Sequence, residues 1–334
     1  MCSLRKLLLL VPFLFVSNIA FSKPFIFAVI PKEENNPFFI ASRDGCYDAA
    51  QTLDNVECLF RGPTSVDVRK QDKIISDMID QGVDGIAIAV TQSEFLVTHS
   101  MIKALASGIP IVTYDADFSD ESLKEFPSLR KAYIGTNDFE LGKALGEQLK
   151  SQRPQGGVFV IQSGRPDSPN LNQRVMGVRS ALSGNDDLNT LKDPIKGNQG
   201  WREFSKPLYN FGQFDRAQAD LRNVLSSYDK RNINAVVAVG GWTQFKDGYR
   251  ELIEPHKQAL SDKDIVLIIA DTADQQLVYL GEHLAHANVG QNPYEMGKQA
   301  ILTLHKLVNG QPVEEMTYIP MTQCNQQNYA NCTK

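Results

Sequence analysis

Apolar and polar positions along the chain switch repeatedly between a strand pattern and a helix pattern. Phe25-Ile26-Phe27-Ala28-Val29-Ile30 is an unbroken apolar run of strand length, as a strand covered on both faces requires. Beyond Pro31 and Pro37 the spacing predicts a helix over 38–53, a strand over 56–60 and a helix over 66–81 started by Ser65. A strand over 84–90, a helix over 95–107 closed by Gly108, and a strand over 109–114 follow. The pattern then begins again, with strands over 157–162, 235–239, 265–270 and 287–289 and helices over 173–182 and 217–228 between them. Such alternation implies an α/β protein of two doubly wound, parallel-sheet lobes with right-handed crossovers and a cleft between them. No close sequence repeat links the halves, and the polar, Gly- and Asn-containing stretch 186–206 reads as a surface loop.

The first residues and the charge balance narrow the picture. Arg5 and Lys6 precede an apolar run over 7–16, and Ala20-Phe21-Ser22 offers small residues for cleavage before Lys23. Residues 1–22 therefore read as a signal peptide: the run is short for a bilayer span and no stop-transfer pattern follows. Cys2 lies ahead of the run, where a lipid-anchor signal would need its cysteine after it. Removing Arg5 and Lys6, with no acid lost, moves the formal net charge from −5 to −7. That balance argues against nucleic acid as a partner. Of the five cysteines, Cys46, Cys58, Cys324 and Cys332 remain after cleavage, and four cysteines allow three connectivities. The local pairs Cys46–Cys58 and Cys324–Cys332 are favoured, because each closes a short loop in an oxidising compartment. CxxC and zinc-ligand spacings are absent, and neither metal nor cofactor is expected.

In open parallel sheets ligands bind beyond the carboxyl ends of the strands, and the unusual residues fall there. The first strand leads to Asn35-Asn36-Pro37-Phe38-Phe39, and the fourth ends in Asp115-Ala116-Asp117. In the second half, Gln162-Ser163-Gly164-Arg165 is followed by Asn172 and Arg174, and the later strands run into Gly240-Gly241-Trp242, Asp271 and Gln291. Carboxylates and amides pair with sugar hydroxyls, Arg donates from a fixed fork, and flat aromatics cover a sugar's C–H face. Unpaired in a closed cleft, such groups would cost about 1–3 kcal/mol each, so a polyhydroxylated guest should drive closure. Each residue also has a plainer reading. Asp115 and Asp271 can be helix caps, Phe38 and Phe39 core, Arg174 a solvated helical arginine, Trp242 lobe packing and Gln291 a surface hinge residue.

At Asn35-Asn36-Pro37-Phe38-Phe39, continued by Ser42-Arg43-Asp44-Gly45, the chain resembles the ribose-binding branch of type I periplasmic binding proteins. The likeness continues through Gln81-Gly82-Val83-Asp84-Gly85-Ile86 and Gly108-Ile109-Pro110-Ile111-Val112-Thr113-Tyr114-Asp115. Tyr133-Ile134-Gly135-Thr136-Asn137-Asp138 resembles the family's first interlobe crossover, Gly290-Gln291-Asn292-Pro293 its second, and a third would lie near Pro320. The resemblance implies discontinuous lobes, 24–136 plus 292–320 and 137–291 plus 321–334, joined by three hinge crossovers. It implies that Asn36, Phe38, Phe39, Asp115, Arg174, Asp271 and Gln291 face the ligand. Asp117 and Trp242 join them from this chain's own strand ends. The chain departs from the family at Ala116, where an arginine is expected, and at Gly240-Gly241-Trp242, which replaces an Asn-Asp pair. It thus resembles a sub-branch with a Gly-Gly-aromatic pattern, paired cysteines and a Gly200-Trp201 loop, whose sugar the resemblance does not specify.

Rival classes lack their signatures. GxGxxG, P-loop, GxSxG and HExxH motifs are absent, so an enzyme is not expected. Glu282-His283-Leu284-Ala285-His286 reads as a surface turn rather than a metal site. A sugar-responsive repressor would need a helix-turn-helix ahead of the first strand. The expectation is a monomeric periplasmic solute-binding protein that delivers a monosaccharide or similar molecule to an ABC importer. The alternative partner is the periplasmic domain of a sensor histidine kinase.

Overall fold

The computed structural model describes residues 23–332; the expected signal peptide lies outside them. The chain first lays down β1 (Phe25–Ile30), β2 (Val56–Phe60), β3 (Gly85–Ile88), β4 (Ile111–Tyr114) and β5 (Ala132–Gly135). It continues through β6 (Gly157–Ser163), β7 (Lys196–Asn198), β8 (Trp201–Glu203), β9 (Leu208–Tyr209), β10 (Ala235–Ala238), β11 (Val266–Ala270) and β12 (Ala287–Gly290). It then returns through β13 (Met316–Tyr318) and β14 (Thr322–Asn325). One sheet has the order β13-β5-β4-β3-β1-β2, the other β14-β12-β11-β10-β6-β8-β7, with β9 pairing the end of β6. Pairing is parallel apart from β12 with β14 and β7 with β8. The chain passes between sheets three times, after β5, after β12 and after β13.

Each sheet is buried on both faces by helices, which is why its central strands are mostly apolar. On the first sheet, the helix Pro37–Thr52 packs along the helix Pro293–Val308. Gly45 and Gly297 permit that contact, because a Cβ on either would overlap the backbone of the other helix. Gly142 and Gly177 play the same part between Asp138–Gln152 and Pro169–Ser183 on the second sheet. Both local disulfides form. Cys46–Cys58 ties a helix to β2 and Cys324–Cys332 ties β14 to the last turn, with Cα separations of 6.1 and 6.2 Å.

Four expectations change. The second helix begins at Val68, because the Asp67 carboxylate accepts from the Arg69 and Lys70 amides and is its cap, not Ser65. The third helix breaks at His99 into Ser93–Val97 and Ser100–Ser107. The supposed loop 186–206 instead carries a helical turn and the β7–β8 hairpin, whose Trp201 is buried edge-on against Phe159. His286 is not on a surface turn. It is buried, its Nδ1 accepts from the Leu267 amide and its Nε2 bonds the Leu260 carbonyl, and burial lowers its pKa to about 4.

Candidate functional site

The carboxyl ends of both sheets converge on one cavity, part of it continuous with solvent. The helix that bounds it on one side starts at Asn36-Pro37, where the Asn36 side chain accepts from the Phe38 amide and Pro37 supplies a ready-made first turn. That cap turns Phe38 and Phe39 toward the cavity, where they meet each other edge-on at 5.2 Å and also join the core of the first sheet. Asp115 directly follows β4 and Asp271 directly follows β11. Both have left-handed backbones, φ 59° and 71°, a conformation that costs a non-glycine residue roughly 1–2 kcal/mol and that Asp tolerates better than most. Both are buried.

Arg174 links the two. Its Nε donates to Asp138 at 2.7 Å, one terminal nitrogen to the Val239 carbonyl at 3.1 Å, and the other to Gln291 Oε1 at 3.1 Å while lying 3.9 Å from the Asp115 carboxylate. Gln291 passes the chain on to Asp271 Oδ1 at 3.1 Å, and Asp271 Oδ2 accepts from the Gly241 amide at 2.9 Å. Burial alone would lower the Arg174 pKa, but the Asp138, Asp115 and Asp271 carboxylates raise it and keep the guanidinium charged. Burial pushes the Asp138 carboxyl up to about 6 against the pull of Arg174, and likewise raises Asp271.

The Gly240-Gly241-Trp242 sequence now has a steric account. A Cβ on Gly240 would stand 2.6 Å from the Trp242 ring and one on Gly164 3.0 Å from it, so the six-membered ring of the indole occupies space that two bare glycine backbones leave open. A Cβ on Gly241 would press the Phe245 ring at 2.5 Å. The cavity floor is therefore aromatic because its backbone is bare.

Asn36, Phe38, Phe39, Asp115, Arg174, Trp242, Asp271 and Gln291 all line this one cavity. Asp117 does not. Its carboxylate is held by Arg130 at 2.8 Å and by the Thr113 hydroxyl at 2.6 Å, and it faces a separate groove. Sequence proximity to Asp115 placed it in the site, whereas its partner Arg130 arrives from the approach to β5.

The sequence reading missed Lys32, Thr91, Ser168, Asn170 and Phe245, which also line the cavity. Lys32 Nζ lies 3.2 Å from Asp115, giving that carboxylate the cation that Ala116 does not, and reaches Asn170 across the cleft at 3.4 Å. The Thr91 hydroxyl is buried with no hydrogen-bond partner among the described residues. Lys32 and Thr91 also follow strand ends, so the rule that found the aspartates could have found them. Among the described residues no group of three or more His, Cys, Asp or Glu side chains is arranged to hold a metal ion, and no helix is long and apolar enough to cross a membrane.

Comparison with known proteins agrees with this geometry. The model of the periplasmic binding protein domain matches residues 27–312. The D-ribose/D-allose-binding protein of Pseudomonas aeruginosa is 26% identical over 271 residues, covering 80% of this chain and 83% of that one. Among solved structures, an ABC transporter solute-binding protein from Burkholderia graminis in complex with D-arabinose has a TM-score of 0.78 at 24% identity, covering 93% of this chain and 99% of its own. One from Bacillus halodurans with bound myo-inositol has a TM-score of 0.76 at 18% identity, covering 93% and 98%. The fold is that of the type I periplasmic sugar-binding proteins.

Proposed function

The chain belongs to the periplasmic binding protein family, and on that premise we propose that it captures a monosaccharide or cyclic polyol between its lobes and delivers it to an ABC importer. The reading includes cleavage after residue 22, a monomer in the periplasm, and lobes of 24–136 plus 292–320 and 137–291 plus 321–334. It is a reading of binding, not catalysis. The observation that carries it is the chain Lys32–Asp115–Arg174–Gln291–Asp271, which runs across the cleft beside the Trp242 ring.

This set suits a ring of hydroxyls. Carboxylates and amides take hydroxyl pairs, Lys32 and Arg174 donate from fixed positions, and the aromatic floor takes an apolar face. The Thr91 hydroxyl supplies one more group that a guest can complete. Ligand shifts the lobes toward closure only by its preference for the closed arrangement, here through groups contributed by both lobes. The sugars bound by the relatives, D-ribose, D-allose and D-arabinose, and the polyol myo-inositol are compounds of this class.

Calorimetric titration with those four compounds tests the proposal. Saturable binding of at least one, at about micromolar Kd or tighter, is expected. Absence of heat with the whole panel of pentoses, hexoses and polyols would overturn it. Cross-linking of the sugar-loaded protein in cell envelopes should capture an ABC permease; capture of a sensor kinase would instead assign it to signalling.

A further inference from the structure

The backbones of both cleft aspartates are held in the same way by the neighbouring strand. The Asp115 amide donates to the Ile134 carbonyl at 3.1 Å and the Asp271 amide to the Val289 carbonyl at 2.7 Å. The residue one step earlier on each neighbouring strand then closes the other end of the aspartate. The Tyr133 hydroxyl lies 3.2 Å from the Asp115 carbonyl, and Asn288 Nδ2 donates to the Asp271 carbonyl at 2.9 Å. The strand registers are equivalent, Tyr114 opposite Ile134 and Ala270 opposite Val289. Both side chains are buried. We propose that Tyr133 and Asn288 are positioning residues that hold Asp115 and Asp271 in their left-handed conformation and so aim both carboxylates into the cleft.

The two clamps differ in one respect. An amide NH2 has two protons, and Asn288 uses them on separate acceptors, the Asp271 carbonyl and Gln244 Oε1 at 3.1 Å. A phenol has one proton, and Tyr133 offers it to two carbonyls, that of Asp115 and that of Thr136 at 3.0 Å. Thr136 lies in the chain's first passage between the sheets. Gly135 leaves room for the arrangement, since a Cβ there would overlap the phenol oxygen. Rotation at that crossover therefore redistributes a proton that also steadies Asp115, while Asp271 has a dedicated donor. Asp115 is the aspartate whose aim follows lobe opening.

The inference rests on the reading of these aspartates as ligand-facing, so its test is made without ligand. Amide hydrogen exchange is followed in the full protein, in Tyr133→Phe and in Asn288→Ala, with Gly135→Ala as a second variant that displaces the phenol without removing it. Tyr133→Phe and Gly135→Ala should each speed exchange at the Asp115 amide about tenfold, the scale of one net hydrogen bond, and leave Asp271 unchanged. Asn288→Ala should do the reverse. Unchanged rates at the paired aspartate, or an equal rise throughout a lobe, would overturn the clamp. In a parallel titration with the same four compounds, altered exchange in a protein that binds none of them would sink the proposed function and leave the clamp standing.

Discussion

The lobe that begins at Phe25 and the lobe that contains Gly157 share a strand order, a glycine-packed helix pair and a left-handed aspartate facing the cleft. They differ in how that aspartate's side chain is held. Asp271 is fastened within its own lobe, to the Gly241 amide and to Gln291. Asp115 has Lys32 beside it at 3.2 Å, and its other charged neighbour, Arg174, comes from across the cleft. The second lobe thus presents a preformed polar network beside its Trp242 and Phe245 rings, while the first supplies Phe38, Phe39 and a carboxylate whose surroundings are completed by closure. Preorganisation on one side and completion on the other let a guest both find its site and report its arrival.

The largest effect should come from breaking the bridge. Arg174→Ala leaves Asp138 and Asp115 buried without their shared cation, and a loss of about 3–5 kcal/mol of stability is expected, together with loss of sugar binding. Denaturant melts and calorimetry check this; a folded variant of wild-type affinity would place the bridge outside the site. Next, Cys46→Ser with Cys58→Ser should remove about 2–3 kcal/mol from the first lobe and leave affinity unchanged, since the pair lies away from the cavity. Gly240→Ala should cost about 1–2 kcal/mol through overpacking against Trp242 and weaken sugar binding about tenfold, with tryptophan fluorescence reporting the displaced ring.

The smallest effect is one of pH. The folded Asp138 carboxyl titrates near 6, above its usual 3.8, so between these values the folded protein holds more protons than the unfolded chain. Its contribution therefore favours folding increasingly as pH falls from 7 to 5, by about 1 kcal/mol, and is lost as pH rises through 6. Subtracting the pH–melting profile of Asp138→Asn from that of the wild type isolates it; no difference would show that the carboxyl is not raised.

Much of this could be read from residue order because strand ends are local features. The apolar runs at 25–30 and 266–270 announce buried strands, and whatever follows them lies at a carboxyl end. Proximity in sequence failed where pairing came from elsewhere. Asp117 stands two residues from Asp115 but is claimed by Arg130, and the pairing of Lys32 with Asp115 is visible only once β1 and β4 share a sheet. The stretch 186–206 looked like a loop because β7 and β8 are three-residue strands of mostly polar residues, too short for a period to register. Gly240 and Gly241 carried no periodic signal either; their meaning is the space taken by Trp242 and Phe245.

The central claim, one site completed by both lobes, is tested most directly by titrating Asp115→Asn and Asp271→Asn beside the wild type with the sugar that binds it best. Each substitution should weaken binding at least tenfold, the scale of one charge-assisted hydrogen bond, with the folded state intact by circular dichroism. Wild-type affinity in either variant would contradict the account, because that lobe would then contribute no carboxylate to the guest.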